Sequence, residues 1–268
     1  MIDPTLTGPL MEAAKEPLAN ITNPPTRSIG RFFGDTLDFW FSNRELKYAK
    51  KQIMDEIALR KFREECEAEF AKIPEEELVP PRKALLLPAL DAAEYYVEEE
   101  ELRCMFARLV AATCDMRKAS KMHPSFAQII QELSPKDAEN LMYLHKNKNC
   151  APIISDIING IDAVRFYPYF ITDPDLWDDE YEGALQTISV ISLVRLGLVS
   201  IHTPTNLAAG YNVSFEIYEK RISDLTKEYI DTPGYPGYII RKSIIEATAL
   251  GADFCEICLP PPLQEEDK

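Results

Sequence analysis

The sequence predicts a mainly α protein, a multi-helix bundle with a C-terminal winged-helix-like part that contains a small β-ribbon. Three observations predict it. Apolar residues recur at steps of three and four through most of residues 28–145. The stretch "LSPKDAEN" carries the residues of a helix start. In the last third, the short run "LVSIHT" and the later run "SIIEATA" bracket a long excursion, as two strands of a ribbon would. On this reading residues 1–43 form an N-terminal segment, partly disordered with an amphipathic helix. Residues 44–133 form a helical domain, and 134–268 the winged-helix-like part with an insertion around 203–237.

Each element has its own warrant. Pro4, Pro9, Pro17, Pro24 and Pro25 keep the start of the chain loose, with a short helix expected around "LMEAAKE". Ile29, Phe32, Phe33, Leu37, Trp40 and Phe41 then recur at helical spacing. The face Phe32, Phe33, Leu37, Trp40 and Phe41 docks on the core or lies on a membrane surface. The helix lacks the basic excess of membrane-surface helices, which favours docking. Residues 44–73 read as one long helix. Its charges oppose the macrodipole, with Arg44, Lys47, Lys50 and Lys51 early and Glu64, Glu65, Glu67 and Glu69 late. Packing must therefore hold it. "IPEEELVPPRKA" is a linker and "LLLPALDAAEYYV" an apolar helix in which Pro88 suits only a first turn or a kink.

The stretch "YYVEEEELRCMFARLVAATCD" places Glu98, Glu99, Glu100 and Glu101 before Leu102, Met105, Phe106, Leu109 and Val110. That is an amphipathic helix with carboxylates at its first turn. There they satisfy free amides and meet the positive end of the dipole. Catalysis or metal binding would require partners. The nearest in sequence, Asp115 and His123, fall beyond the far end of the helix, about 20 Å away. Pro124 suits a first turn before Phe126, Ile129, Ile130 and Leu133. Ser134, Pro135 and Asp137 then start a further helix with a capping serine, a proline just inside and an acid three residues on.

"CAPIISDIINGI" reads as a short helix over 151–159. The aromatic insert that follows holds Phe166, Tyr167, Tyr169, Phe170 and Trp177 among six acids and one arginine, which suits a protein-contact surface or an aromatic mini-core better than a nucleic-acid platform. "EGALQTISVISLVRLG" is a third helix, apolar on so much of its circumference (Leu185, Ile188, Val190, Ile191, Leu193, Val194, Leu196) that burial is expected. Cys255 and Cys258 form a lone CxxC within the last helix, where packing of small thiols is expected.

The balance of 29 basic to 44 acidic side chains gives a net charge of −15. Through Leu133 it is 18 to 23, net −5, and beyond it 11 to 21, net −10, so both parts repel a phosphate backbone. No apolar run approaches the ~20 residues of a transmembrane span. Six scattered cysteines and a start without basic or apolar leader regions point to a reducing cytoplasm. His123, His145 and His202 share no metal-ligand spacing, and no phosphate loop, nucleophile elbow or HExxH motif is present. No catalytic residue, cofactor or metal is predicted.

The path from "LLLPALDAAEYYVEEEELRCMFARLVAATCD" through "HPSFAQIIQELSPKDAENLMYL" to "VRLGLV" and "ATALGADFCEICL" resembles the abortive-infection alpha family. Residues 85–259 carry those parts in order, although the stretch at 203–237 is longer than the family pattern. The resemblance implies a cytoplasmic bacterial protein linked to phage resistance, and it implies no catalytic residues. The leading expectation is a non-enzymatic helical interaction protein with protein partners. The alternatives are a winged-helix-type nucleic-acid-binding regulator, against which the charge argues, and a membrane-active effector using residues 28–41.

Overall fold

A computed structural model describes residues 26–48, 53–159, 164–166, 180–203, 215 and 238–262. The chain divides into two compact units, Met1–Gln131 and Glu132–Lys268. It is mostly helical with a small antiparallel sheet in the second unit.

The first unit holds α1 (Thr26–Tyr48), α2 (Ile53–Phe70), α3 (Lys83–Ala93), α4 (Glu100–Ala112) and α5 (Phe126–Glu132), the last ending as the second unit begins. The long helix expected over 44–73 is two elements. Phe33 stacks on Phe70 at 4.2 Å between ring centroids, and Phe41 meets Phe62 at 5.8 Å, so α1 and α2 run antiparallel. Ile29, Phe33, Leu37, Trp40 and Phe41 are buried, and Trp40 Nε1 donates to Asp91 of α3 at 3.3 Å. Each such aromatic pair adds about 0.5–1.5 kcal/mol beyond the area it buries. Apolar spacing alone could not show where one helix stops and its antiparallel partner starts.

The late glutamates of α2 have partners. Arg103 of α4 is 4% exposed and holds Glu65 through Nε at 3.0 and 3.1 Å, while donating to the Val97 carbonyl at 3.0 Å. Arg108 meets Glu69 at 3.1 Å. These charges serve the α2–α4 interface at the expense of the macrodipole. Around them pack Leu59, Phe62, Cys66, Leu102, Met105, Phe106, Leu109 and Val110, all buried. A fully buried side chain of this size contributes about 1.5–3 kcal/mol. Pro88 lies inside α3, beyond the first turn, on an exposed face. There water can solvate the carbonyl that its missing N–H leaves unpaired.

The second unit runs α6 (Pro135–Lys146), β1 (Cys150–Asn159), β2 (Val164–Phe166), α7 (Glu180–Arg195), β3 (Val199–His202), β4 (Tyr238–Ala247) and α8 (Ala249–Cys258). The start of α6 is a full capping box. Ser134 Oγ accepts from the Asp137 N–H at 3.2 Å and Asp137 accepts from the Ser134 N–H at 2.8 Å, with Pro135 in the first turn. Ser134→Ala is expected to lower the unfolding free energy by about 1 kcal/mol with the native far-ultraviolet spectrum intact. A denaturant titration measures it.

The four strands pair antiparallel in the order β2-β1-β4-β3. The return strand β4 lies beside β3, the ribbon expected from the sequence. The helix expected at 151–159 is strand β1 instead. Its isoleucines at 153, 154, 157 and 158 fit helical spacing, yet they are β-branched and pair with β4 from Cys150↔Glu246 to Asn159↔Tyr238. Among the described residues β2 pairs with Ile157–Asn159, at the other end of the strand from Pro152. Lys148 and Asn149, at φ 57° and 61°, turn α6 into this strand. Gly197, at φ 71°, turns α7 into β3, the conformation in which glycine ends a helix without strain. Phe215, buried, lies with Lys242 of β4 5.6 Å from its ring. The rest of the insertion, the N-terminal segment before Thr26 and the short helix expected around "LMEAAKE" lie outside the described residues.

Candidate functional site

Glu98, Glu99, Glu100 and Glu101 are all exposed at the start of α4. Glu99 is the N-cap and makes no side-chain capping bond, while Glu100 and Glu101 lie in the first turn, at the positive end of the helix dipole. Asp115 lies past the other end of the helix. Its side chain, 2% exposed, accepts from the Arg117 backbone N–H at 3.0 Å, Nε at 2.9 Å and Nη2 at 2.7 Å. Burial pushes its acidity one way and the Arg117 hydrogen bonds and charge push it further the other, so its pKa lies below the usual carboxylate value. His123 is engaged locally: its Nδ1 lies 2.6 Å from Ser125 Oγ and accepts from the Ser125 N–H at 3.2 Å. The structure therefore does not bring Glu98–Glu101, Asp115 and His123 together. Among the described residues no group of three His, Cys, Asp or Glu side chains could hold a metal ion.

Phe33, Leu37, Trp40 and Phe41 of the α1 face lie in the core of the first unit, with Phe32 half-buried. That face packs on α2 through Phe33–Phe70 and Phe41–Phe62 and meets α3 through Trp40 and Asp91. No helix among the described residues is long and apolar enough to cross one. Of the aromatic insert, Phe166 closes strand β2, whereas Tyr167, Tyr169, Phe170 and Trp177 lie outside the described residues.

Cys66, Cys114, Cys255 and Cys258 are buried free thiols, and Cys104 and Cys150 are partly so. Burial pushes the Cys255 thiol up to about 12, and Cys114 likewise to about 12. A thiol so far above neutrality is a small apolar packing group, not a nucleophile.

Two arrangements were not read from the sequence. Ser200 and His202 share one face of β3, and Ser200 pairs across the ribbon with Glu246. Ser200 Oγ lies 2.9 Å and Glu246 Oε2 3.9 Å from His202, both at Nε2. A hydrolytic triad needs serine and carboxylate on opposite ring nitrogens. This trio is also about half exposed, so it does not meet that geometry. Alternation along "LVSIHT" was the available signal for the serine–histidine pair.

The second arrangement is α7, which is turned against its composition. It buries Gln186, Ser189, Val190 and Leu193, while Ile188 is 63% exposed, Ile191 55% and Val194 42%. On α6, buried Asn140 Nδ2 donates to Ser189 Oγ at 2.8 Å, a polar contact within this inward seam. The all-round burial expected for this helix is corrected accordingly. Residues 188, 191 and 194 step by three, so their side chains form one apolar stripe on the solvent side. Arg195, at its end, pairs with Glu132 at 2.8 Å.

A family model described as abortive infection alpha matches residues 54–258, from the second residue of α2 to the last residue of α8. Comparison with curated proteins and with solved structures gave no match.

Proposed function

The chain belongs to the abortive infection alpha family, and on that premise we propose that it is a non-enzymatic helical interaction protein of a bacterial anti-phage defence system. The observation that carries the interaction reading is the outer face of α7, with three large aliphatic side chains turned to solvent on a helix held firmly from behind. An isolated exposed leucine or isoleucine is ordinary, but a helical stripe of three is the form protein recognition takes. The protein acts in this reading in the cytoplasm, by contact.

The alternatives draw less support. A nucleic-acid reader would present lysines and arginines on α7, yet its described solvent face holds only Arg195, already paired with Glu132. A membrane effector through residues 28–41 would need the face that α1 buries.

The test is biochemical. Purified full-length chain incubated with nucleoside triphosphates, dinucleotides, RNA and DNA is expected to leave all of them intact. Turnover abolished by a single side-chain change would overturn the reading.

A further inference from the structure

We infer that the seam between α6 and α7 binds one ordered water molecule, held by Asp137, Asn140 and Ser189. These side chains are 2%, 0% and 2% exposed. Asp137 commits one carboxylate oxygen to the capping box, where Oδ2 accepts the Ser134 N–H at 2.8 Å. Its Oδ1 is buried, and among the described residues nothing donates to it. Asn140 gives its amide to Ser189 Oγ at 2.8 Å, and its own Oδ1 is likewise buried with no donor among the described residues. Ser189 Oγ accepts that amide, and no described residue takes the hydroxyl proton. Two acceptors and one donor are therefore left over inside the seam.

That remainder is the complement of water. A water molecule brings two protons for the two oxygens and a lone pair for the serine proton, and about three hydrogen bonds are typical of a buried water. Buried oxygens without donors give up their hydration for nothing, so two within one helical turn demand a donor. The spacing suits a bridge. Asp137 and Asn140 are three apart on α6 and share one face, with about 5–6 Å between their Cβ atoms. The Asn140 amide is already bonded across to Ser189, so α7 closes the third side. The capping box draws the Asp137 carboxylate back toward Ser134 and away from Asn140, which leaves the span to a water.

Other arrangements fit less well. A calcium or magnesium ion takes about six or more oxygens, whereas these side chains supply two uncommitted ones. A direct bond between Asp137 Oδ1 and Asn140 Oδ1 would need a proton between them and would still leave the Ser189 proton without an acceptor. An Asn140 amide turned end for end would satisfy all three groups only if its nitrogen reached Asp137 directly, against the pull of the capping box.

A high-resolution crystal structure of the full-length chain tests it. One ordered water is expected about 2.7–3.2 Å from Asp137 Oδ1, Asn140 Oδ1 and Ser189 Oγ, in every independent copy. Asn140 Nδ2 bonded directly to Asp137, or a side chain filling the seam, overturns the inference. So does a rubidium soak that places an anomalous peak at the site, which would make the occupant a cation. A second measurement works in solution, where oxygen-17 relaxation dispersion counts long-lived buried waters. Asn140→Leu replaces the central amide with an aliphatic group of similar size, and it is expected to hold one such water fewer than the parent. An unchanged count overturns the inference. The crystallographic test needs no variant, so it decides the matter even if Asn140→Leu does not fold. Neither outcome bears on the interaction reading above, which stands or falls separately.

Discussion

Gly251→Ala is expected to lower the stability of this protein by about 3 kcal/mol, the upper part of the range for overpacking a tight interior. Gly251 lies in the first turn of α8 with ordinary helical backbone, so helix propensity alone would favour alanine by about 1 kcal/mol. Sterics win because a Cβ there would overlap the Leu198 carbonyl oxygen and come within 2.8 Å of its carbon. That carbonyl cannot retreat cheaply, since it accepts from the Thr248 N–H at 2.9 Å and the Thr248 hydroxyl also holds the Gly251 N–H at 3.0 Å. The clash falls where α7 passes into β3. Equilibrium unfolding in urea measures the first effect. A midpoint equal to the wild type would show that α8 does not approach the turn this closely.

Glu65→Ala is expected to cost about 3 kcal/mol, the lower end of the range for breaking a buried ion pair, because the Glu65 side chain keeps 27% of its exposure. The loss comes from what stays behind. Arg103 would remain nearly buried with only the Val97 carbonyl to meet its charge. Removing both charges together, as Glu65→Leu with Arg103→Met, is expected to restore most of the stability, since a well-packed apolar pair avoids the desolvation cost. Thermal unfolding of the two variants separates these outcomes. A double variant as weak as the single one would mean that shape at the α2–α4 interface matters more than charge.

Much of this fold was legible in the sequence, and the illegible parts have physical reasons. Ser134, Pro135 and Asp137 specify a capping box through local chemistry alone, so no tertiary knowledge was needed. The same holds for the ribbon strands, where "LVSIHT" and "SIIEATA" are short β-branched runs with turn signals between them. Strand β1 was missed because a strand pairing on both sides is apolar on both faces, and four isoleucines in six positions satisfy either period. The division between α1 and α2 was missed because both carry aromatics at the same spacing. For the candidate surface the failure is more instructive. Composition made α7 look buried all round, whereas it turns Gln186, Ser189, Val190 and Leu193 inward, with Ser189 accepting from Asn140 of α6. Nothing local to α7 encodes that choice. Two of the late glutamates of α2, Glu65 and Glu69, looked misplaced for the same reason, their partners Arg103 and Arg108 lying on α4 about forty positions away in the chain.

The central claim is that the protein acts through a surface and that its most conspicuous acids, Glu98 to Glu101, only favour the start of a helix. Phage challenge of bacteria carrying the chain tests it most directly, using a variant with all four glutamates changed to glutamine. The two acids in the first turn, Glu100 and Glu101, are each worth about 0.3–1 kcal/mol to the helix, so the variant is expected to fold and to protect the cells as the parent does. A folded variant that gives no protection would contradict the account.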